Sequence, residues 1–199
     1  MTRALDYKSS EPQSGYIARA VIFVHGYGAD GADLLGLADP MAPHLPDTIF
    51  IAPNAPEACS VNPMGYQWFP IPWIDGSSEE DARAGLARAF DDFNAFLEQV
   101  MEENNLTPRD VALVGFSGRL LEPERLKEEA ECRPPVLLIH GDQDDVVPPQ
   151  ALPEAAEALQ EAGWREVYAH IMRGTGHGIA PDGLQVCLAF LRDKFGLED

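Results

Sequence analysis

The chain has 199 residues, 45% of them apolar, with 17 glycines and 17 prolines, a size and balance that fit one ordered α/β domain over residues 1–199. Thirty-three acidic residues against 14 lysines and arginines give a formal charge of −19, which argues against nucleic acid and anionic membrane as partners, because both need a basic face. Cys59, Cys132 and Cys187 form no metal-ligand spacing and leave an odd count, so they read as reduced thiols of a cytoplasmic protein, and no apolar run reaches the length of a signal peptide or a stable membrane insertion.

The mostly polar residues 1–18 are read as an edge hairpin ahead of the core. Val21-Ile22-Phe23-Val24 is the first buried strand. It runs into His25-Gly26-Tyr27-Gly28, which has the wrong spacing for a phosphate loop and no following lysine. Backbone N–H groups presented to a developing oxyanion suit it better. A helical pattern follows from Asp33 with Leu34, Leu37, Met41 and Leu45, and the next strand runs from Thr48 to Ala52, stopped by Pro53. Residues 53–76 are proline-broken yet carry Met64, Tyr66, Trp68, Phe69, Ile71 and Trp73, either as a satellite core or as an apolar wall beside a site. Met64, Trp68, Phe69 and Trp73 are the expected substrate-binding residues of that wall. Residues 79–104 form the clearest helix, its stripe placed at Ala82, Leu86, Phe90, Phe93, Leu97, Val100 and Met101 and its cap at Ser77 or Ser78.

Val111-Ala112-Leu113-Val114 then runs straight into Gly115-Phe116-Ser117-Gly118-Arg119. A buried strand that throws a serine onto a sharp turn is written Gly-x-Ser-x-Gly, because the strained serine leaves no room for neighbouring Cβ atoms. Here the last position is Arg119, so the elbow is incomplete. Residues 123–131 form a short charged helix, and Val136 to Ile139 a further buried strand, ending in His140-Gly141-Asp142-Gln143-Asp144-Asp145. Acids at a strand end stand where α/β sites form. A metal site on the alternating His140, Asp142 and Asp144 is the rival reading. A helix through Leu152, Ala155, Leu159 and Ala162 stops at Gly163, and a strand from Val167 to Met172 leads to Gly176-His177-Gly178. A final helix carries Leu184, Cys187, Leu188, Leu191 and Phe195 on one face.

Ser117, Asp144 and His177 each stand just past a strand, in the chain order of the α/β-hydrolase fold. A serine hydroxyl is a poor nucleophile at neutral pH, so His177 must take its proton, while Asp144 orients and stabilises the imidazole. The backbone N–H groups of Tyr27 and Gly118 would meet the oxyanion.

Residues 21–28, Gln67-Trp68-Phe69, Val-Gly-Phe-Ser at 114–117, residues 140–148 and Gly176-His177-Gly178 together resemble the bacterial phospholipase/carboxylesterase family of α/β hydrolases, which includes acyl-protein thioesterase-like enzymes. The resemblance covers nearly the whole chain from residue 20. It implies Ser117, Asp144 and His177 as the catalytic residues and Tyr27 in the oxyanion hole. Asp142 and Asp145 do not match the catalytic acid. The implied activity is a serine carboxylesterase acting on short- to medium-chain acyl esters, small or lipid-like, through an acyl-enzyme, with no cofactor and no metal.

Family members follow the serine with Gln-Gly-Gly, a buried helix and a further strand that also ends near Gly-Phe-Ser-Gly. This chain passes from Gly-Phe-Ser directly to Gly118-Arg119-Leu120-Leu121, as if one helix–strand unit of roughly 25–30 residues were missing. Ser117 then belongs to one of two similar segments that are alike at the joint. Losing a strand opens the sheet or moves its neighbours by about 4.8 Å, and exposes apolar surface that favours a homodimer. Three readings follow: carboxylesterase, thioesterase with the same residues, and catalytically impaired remnant.

Overall fold

The computed structural model describes residues 2–115, 120 and 123–197, without the side chain of Glu129. The chain divides into two compact units, Met1–Phe116 and Ser117–Asp199.

The first unit is built on a four-stranded sheet of β1 (Tyr7–Ser10), β2 (Arg19–Val24), β3 (Thr48–Pro53) and β6 (Val111–Gly115), in the order β1-β3-β2-β6. β2 lies parallel to both β3 and β6, in a register that sets Ala20 opposite Val111 and Val24 opposite Gly115. β1 runs antiparallel to β3, from Tyr7 opposite Pro53 to Ser10 opposite Phe50, so the expected N-terminal hairpin is instead a strand paired with a distant segment. Ala20 to Phe23 and all of β3 are buried, as the unbroken apolar runs require of strands covered on both faces. β6 ends the strand order and is more open than its sequence predicts: Val114 is buried, but Leu113 is 53% exposed.

The helical pattern after Asp33 resolves into α1 (Gly31–Leu35), α2 (Ala38–Met41) and a 3-10 turn rather than one helix. Gly31 opens α1 because a Cβ there would collide with the Ala52 carbonyl at the end of β3. Between β3 and the long helix lie the hairpin of β4 (Glu57–Ala58) and β5 (Tyr66–Gln67) and the single turn of α3 (Pro72–Asp75).

The long helix α4 (Glu79–Asn104) is capped by Ser78, whose hydroxyl accepts from the Asp81 N–H, with three acids in its first turn. Its buried face is Gly85, Ala89, Asp92, Phe96 and Val100, with Phe93 and Leu97 packed alongside. The expected stripe is therefore off-centre, and Phe90 is 59% exposed. Two contacts turn the helix. Gly85 lets it approach Phe69 and Pro70, and Asp92 is buried against Arg3, whose backbone N–H and Nε both donate to its carboxylate at 2.7 Å.

In the second unit, β7 (Val136–Gly141) and β8 (Val167–Met172) form a parallel pair over six positions. α6 (Ala151–Glu161) buries Leu152, Ala155 and Leu159, and α7 (Pro181–Lys194) buries Gly183, Cys187 and Leu191, close to the stripes the sequence predicts. α5 (Pro123–Glu129) ends two residues earlier than expected. Leu159, Ala162 and Trp164 form the small core of this unit, with Leu126, Val136 and Leu138 packed against it. Among the described residues no helix is long and apolar enough to cross a membrane.

Candidate active site

The second unit brings Asp144 and His177 together. β7 ends at Gly141, where any Cβ would collide with the carbonyls of Thr175 and Gly176, so only glycine lets the acid loop pass under the histidine loop. Two further bonds stitch the loops: the Gln143 N–H donates to the Thr175 carbonyl at 2.9 Å, and the Gly174 N–H to Asp142 Oδ1 at 2.6 Å. His177 then sits at the centre of a three-residue turn closed by the Gly178 N–H on the Gly176 carbonyl at 3.0 Å.

His177 Nδ1 lies 2.9 Å from Asp144 Oδ2 and 3.1 Å from Oδ1. The carboxylate fixes the proton on Nδ1 and leaves Nε2 as the basic nitrogen. The carboxylate is buried, whereas the imidazole remains 30% exposed. Burial pushes the Asp144 carboxyl up, but the hydrogen bond from His177, the N–H groups of Val147 and Val146, and the imidazole charge together outweigh it and hold the group below the usual range. It is ionised at neutral pH, as an orienting carboxylate must be.

His140, Asp142 and Asp144 have separate tasks instead of a common ligand point. His140 Nε2 donates to the Val147 carbonyl at 2.8 Å and stands 3.4 Å from Asp144 Oδ2, bracing the acid loop, while Asp142 holds Gly174. Among the described residues no group of three or more His, Cys, Asp or Glu side chains converges as a metal site.

In the first unit, the loop after β2 is fixed by side chains whose role the sequence does not announce. His25 is buried; its Nε2 accepts from the Ala55 N–H at 2.9 Å, so its proton is on Nδ1, which donates to the Gly26 carbonyl at 2.7 Å. Burial is the main reason its pKa lies below the usual value, so the ring stays neutral. The Trp68 indole N–H donates to the His25 carbonyl at 2.9 Å. Gly28 takes φ +78° and gives its N–H to the Tyr66 carbonyl. Held between them, Tyr27 has a backbone N–H that donates to no described residue.

Of the expected substrate-binding residues, Met64 and Trp73 are exposed, at 85% and 71%. Phe69 is half-buried under α4, and Trp68 packs edge-on against Phe93 with its ring in the core. Ser117 and Gly118 lie outside the described residues.

The sequence matches the phospholipase/carboxylesterase family model over residues 8–118 and again over 111–194. The chain belongs to the phospholipase/carboxylesterase family. An esterase of Escherichia coli strain K12, YpfH, is 26% identical over 193 residues, covering 86% of this chain and 81% of that protein. Acyl-protein thioesterase 1 of Gibberella zeae is 26% identical over 222 residues, covering 92% and 93%. The crystal structure of esterase PE8 superposes with a TM-score of 0.88 at 38% identity, over 96% of this chain and 99% of that one. Acyl-protein thioesterase 2 of Zea mays, at 22% identity and a TM-score of 0.71, shares the α/β-hydrolase fold.

The doubled match bears on the incomplete elbow. Residues 111–118 of this phospholipase/carboxylesterase family member are matched both as the end of the first segment and as the start of the second. The thioesterase alignment also spans 222 positions, more than the 199 residues of this chain, so that relative carries residues that the chain lacks. Between Gly115 and Val136 the described residues hold one element, the seven-residue α5.

Proposed function

We propose that the chain is a serine carboxylesterase that hydrolyses short- to medium-chain acyl esters. The observation that carries this reading is the Asp144–His177 pair, with Nδ1 committed to a buried carboxylate and Nε2 left for a hydroxyl, in a member of a carboxylesterase family. In the proposed cycle His177 Nε2 takes the Ser117 proton as Oγ attacks the acyl carbon, and the Tyr27 and Gly118 N–H groups take the oxyanion. Collapse breaks the carbon–oxygen bond to the alcohol, which leaves with the proton from His177. Water, deprotonated by the same nitrogen, then releases the acid and regenerates Ser117. Met64, Trp68, Phe69 and Trp73 provide the apolar surface for the acyl chain.

Thioester hydrolysis is the second reading, favoured by the relatives named acyl-protein thioesterases, and it uses the same residues. Parallel turnover of oxygen esters and thioesters of one acyl chain separates the two.

The decisive test is labelling with a fluorophosphonate, read by intact mass, with Ser117→Ala and His177→Ala as controls. Stoichiometric labelling abolished by both changes supports the proposal. A folded protein that takes no label overturns it and makes the chain a non-catalytic descendant of its family, as the missing residues after β6 would then explain.

A further inference from the structure

The side chain of Tyr27 has no part in the proposed chemistry, which uses only its N–H, yet its hydroxyl makes two hydrogen bonds to other segments. Its hydroxyl donates to Asp75 Oδ2 at 2.9 Å and lies 3.0 Å from Ser60 Oγ. A phenol has one proton, and an ionised carboxylate can only accept, so the Ser60 hydroxyl is the donor in the second bond. Asp75 also accepts the Ile71 N–H at Oδ2 and the Ser77 N–H at Oδ1, both at 2.9 Å, and so closes the α3 turn on itself. Ser60 is tied in turn to the β4–β5 hairpin, its N–H donating to the side chain of the buried Gln67 at 3.1 Å.

One hydroxyl thus fastens three segments: the loop of Tyr27, the hairpin tip at Ser60 and the α3 turn at Asp75. The two outer segments are where large apolar side chains stand in solvent. Val61 and Met64 follow Ser60, and Trp73 and Ile74 precede Asp75, with exposures of 54%, 85%, 71% and 45%. The charge states suit a permanent clasp. Ser77, through its nearby hydroxyl (outside good hydrogen-bond geometry) and its N–H, does most to hold the Asp75 carboxyl at about 2, while burial and the bond to Asp75 push the Tyr27 phenol up to about 12. Neither group changes charge near neutral pH.

We propose that Asp75 and the Tyr27 hydroxyl form a positioning clasp that sets the oxyanion N–H of Tyr27 and the apolar 61–64 and 73–74 segments in one geometry, so that acyl-chain length and oxyanion stabilisation are coupled. The inference rests on the carboxylesterase reading. A loop N–H that drifts by a fraction of an ångström gives up part of an oxyanion contact, and an acyl chain that cannot order the loose segments no longer improves binding.

The test uses the full chain and two variants that keep side-chain shape, Tyr27→Phe and Asp75→Asn, with p-nitrophenyl acetate and octanoate as substrates. Each variant is expected to lower kcat on both esters, on the order of 10-fold. Each is also expected to leave KM for acetate unchanged and to raise KM for octanoate, flattening the chain-length preference. The losses in the double variant are less than additive, because the Tyr27–Asp75 bond is common to both changes, while Tyr27→Phe alone also gives up the Ser60 bond and Asp75→Asn alone also gives up one backbone N–H bond. Unchanged kcat and chain-length preference, or additive losses, overturn the clasp. Hydrogen exchange of peptides covering residues 57–77 separates this outcome from a failure of the functional reading. If the wild-type chain turns over no ester, the carboxylesterase reading falls, but faster exchange there in Tyr27→Phe still supports the clasp and unchanged exchange sinks it.

Discussion

Asp144 and His177, 33 positions apart, meet through both carboxylate oxygens, with Nδ1 at 2.9 Å from Oδ2 and 3.1 Å from Oδ1. Two backbone N–H groups, of Val146 and Val147, hold Oδ1 from the other side, so the carboxylate cannot rotate away from the ring. The acid loop is built around this one side chain.

Asp144→Asn keeps those volumes but replaces the acceptor with a mixed donor and acceptor, which favours the wrong imidazole tautomer. The expected loss in kcat is about 10⁴-fold with a folded protein. Steady-state hydrolysis of p-nitrophenyl butyrate and a circular-dichroism spectrum check it together, and a loss below 10-fold on that ester would remove Asp144 from the catalytic set. Acid stability should move as well. The folded Asp144 carboxyl titrates below its unfolded value of about 3.9, so its contribution is complete above that pH and is lost as the pH falls through the lower folded value. The variant lacks that part of the acid-induced decline.

His25 makes a prediction of the same sign in a higher pH window. Its folded pKa is lowered by burial, so the unfolded chain binds the extra proton first, near pH 6.5. Stability is complete above about 6.5 and declines as the pH falls through that value. His25→Phe fills the space but leaves the Ala55 N–H without its acceptor, at a cost of about 1–3 kcal/mol at neutral pH. Urea unfolding at pH 7.5 and 5.5 should show the wild-type midpoint falling between the two and the variant midpoint lower but flatter. Coincident midpoints at pH 7.5 would show that the histidine carries no such bond.

Gly85 is a quieter feature of the long helix. Alanine is favoured over glycine in a helix interior by about 1 kcal/mol, so Gly85→Ala looks stabilising from sequence. At this position a Cβ would stand 2.8 Å from Pro70 Cδ and 3.0 Å from Phe69 Cβ, a rigid ring and a backbone-proximal carbon that cannot swing aside. Overpacking of that kind costs about 1–3 kcal/mol, so the net effect is a loss, accompanied by displacement of the Phe69–Pro70 segment. A Tm above that of the wild type would show that the helix and segment can separate freely.

β2 and β3 were legible because parallel strands covered on both faces carry unbroken apolar runs, and β7 because Val136 to Ile139 does so although half-buried, whereas β8 is interrupted by His170 and exposed at Tyr168, Ala169 and Ile171. Their glycine-rich ends pointed to His177 and Tyr27 for the same reason: tight turns leave a short list of residue types. What the sequence hid is non-local. The stripe of α4 turns on Asp92, which is apolar in neither composition nor period but is buried by Arg3, 89 positions away. His25 reads as part of a glycine loop until Ala55 is found donating to it, and Trp68 reads as a wall residue until its indole is found under the loop. Asp75 carries no motif at all. Its importance lies in three donors arriving from three directions.

The acids of the 142–145 loop give the sharpest contrast, since three carboxylates within four residues have three different environments. Asp144 is buried against His177. Asp142 points to the Gly174 N–H, where its Oδ1 at 2.6 Å helps anchor the turn that carries the histidine. Asp145 is exposed. Asp142→Ala leaves the backbone bond from Gln143 to Thr175 in place, so the loops stay joined but lose one of two ties. A roughly 10-fold fall in kcat is expected, with the pH profile unchanged, because the histidine is less well placed while its partner carboxylate is intact. Asp145→Ala should match the wild type. A pH–rate profile of all three alanine variants decides among them: if Asp142→Ala shifts the acid limb or Asp145→Ala loses as much rate as Asp144→Ala, the catalytic carboxylate has been assigned to the wrong position of the loop.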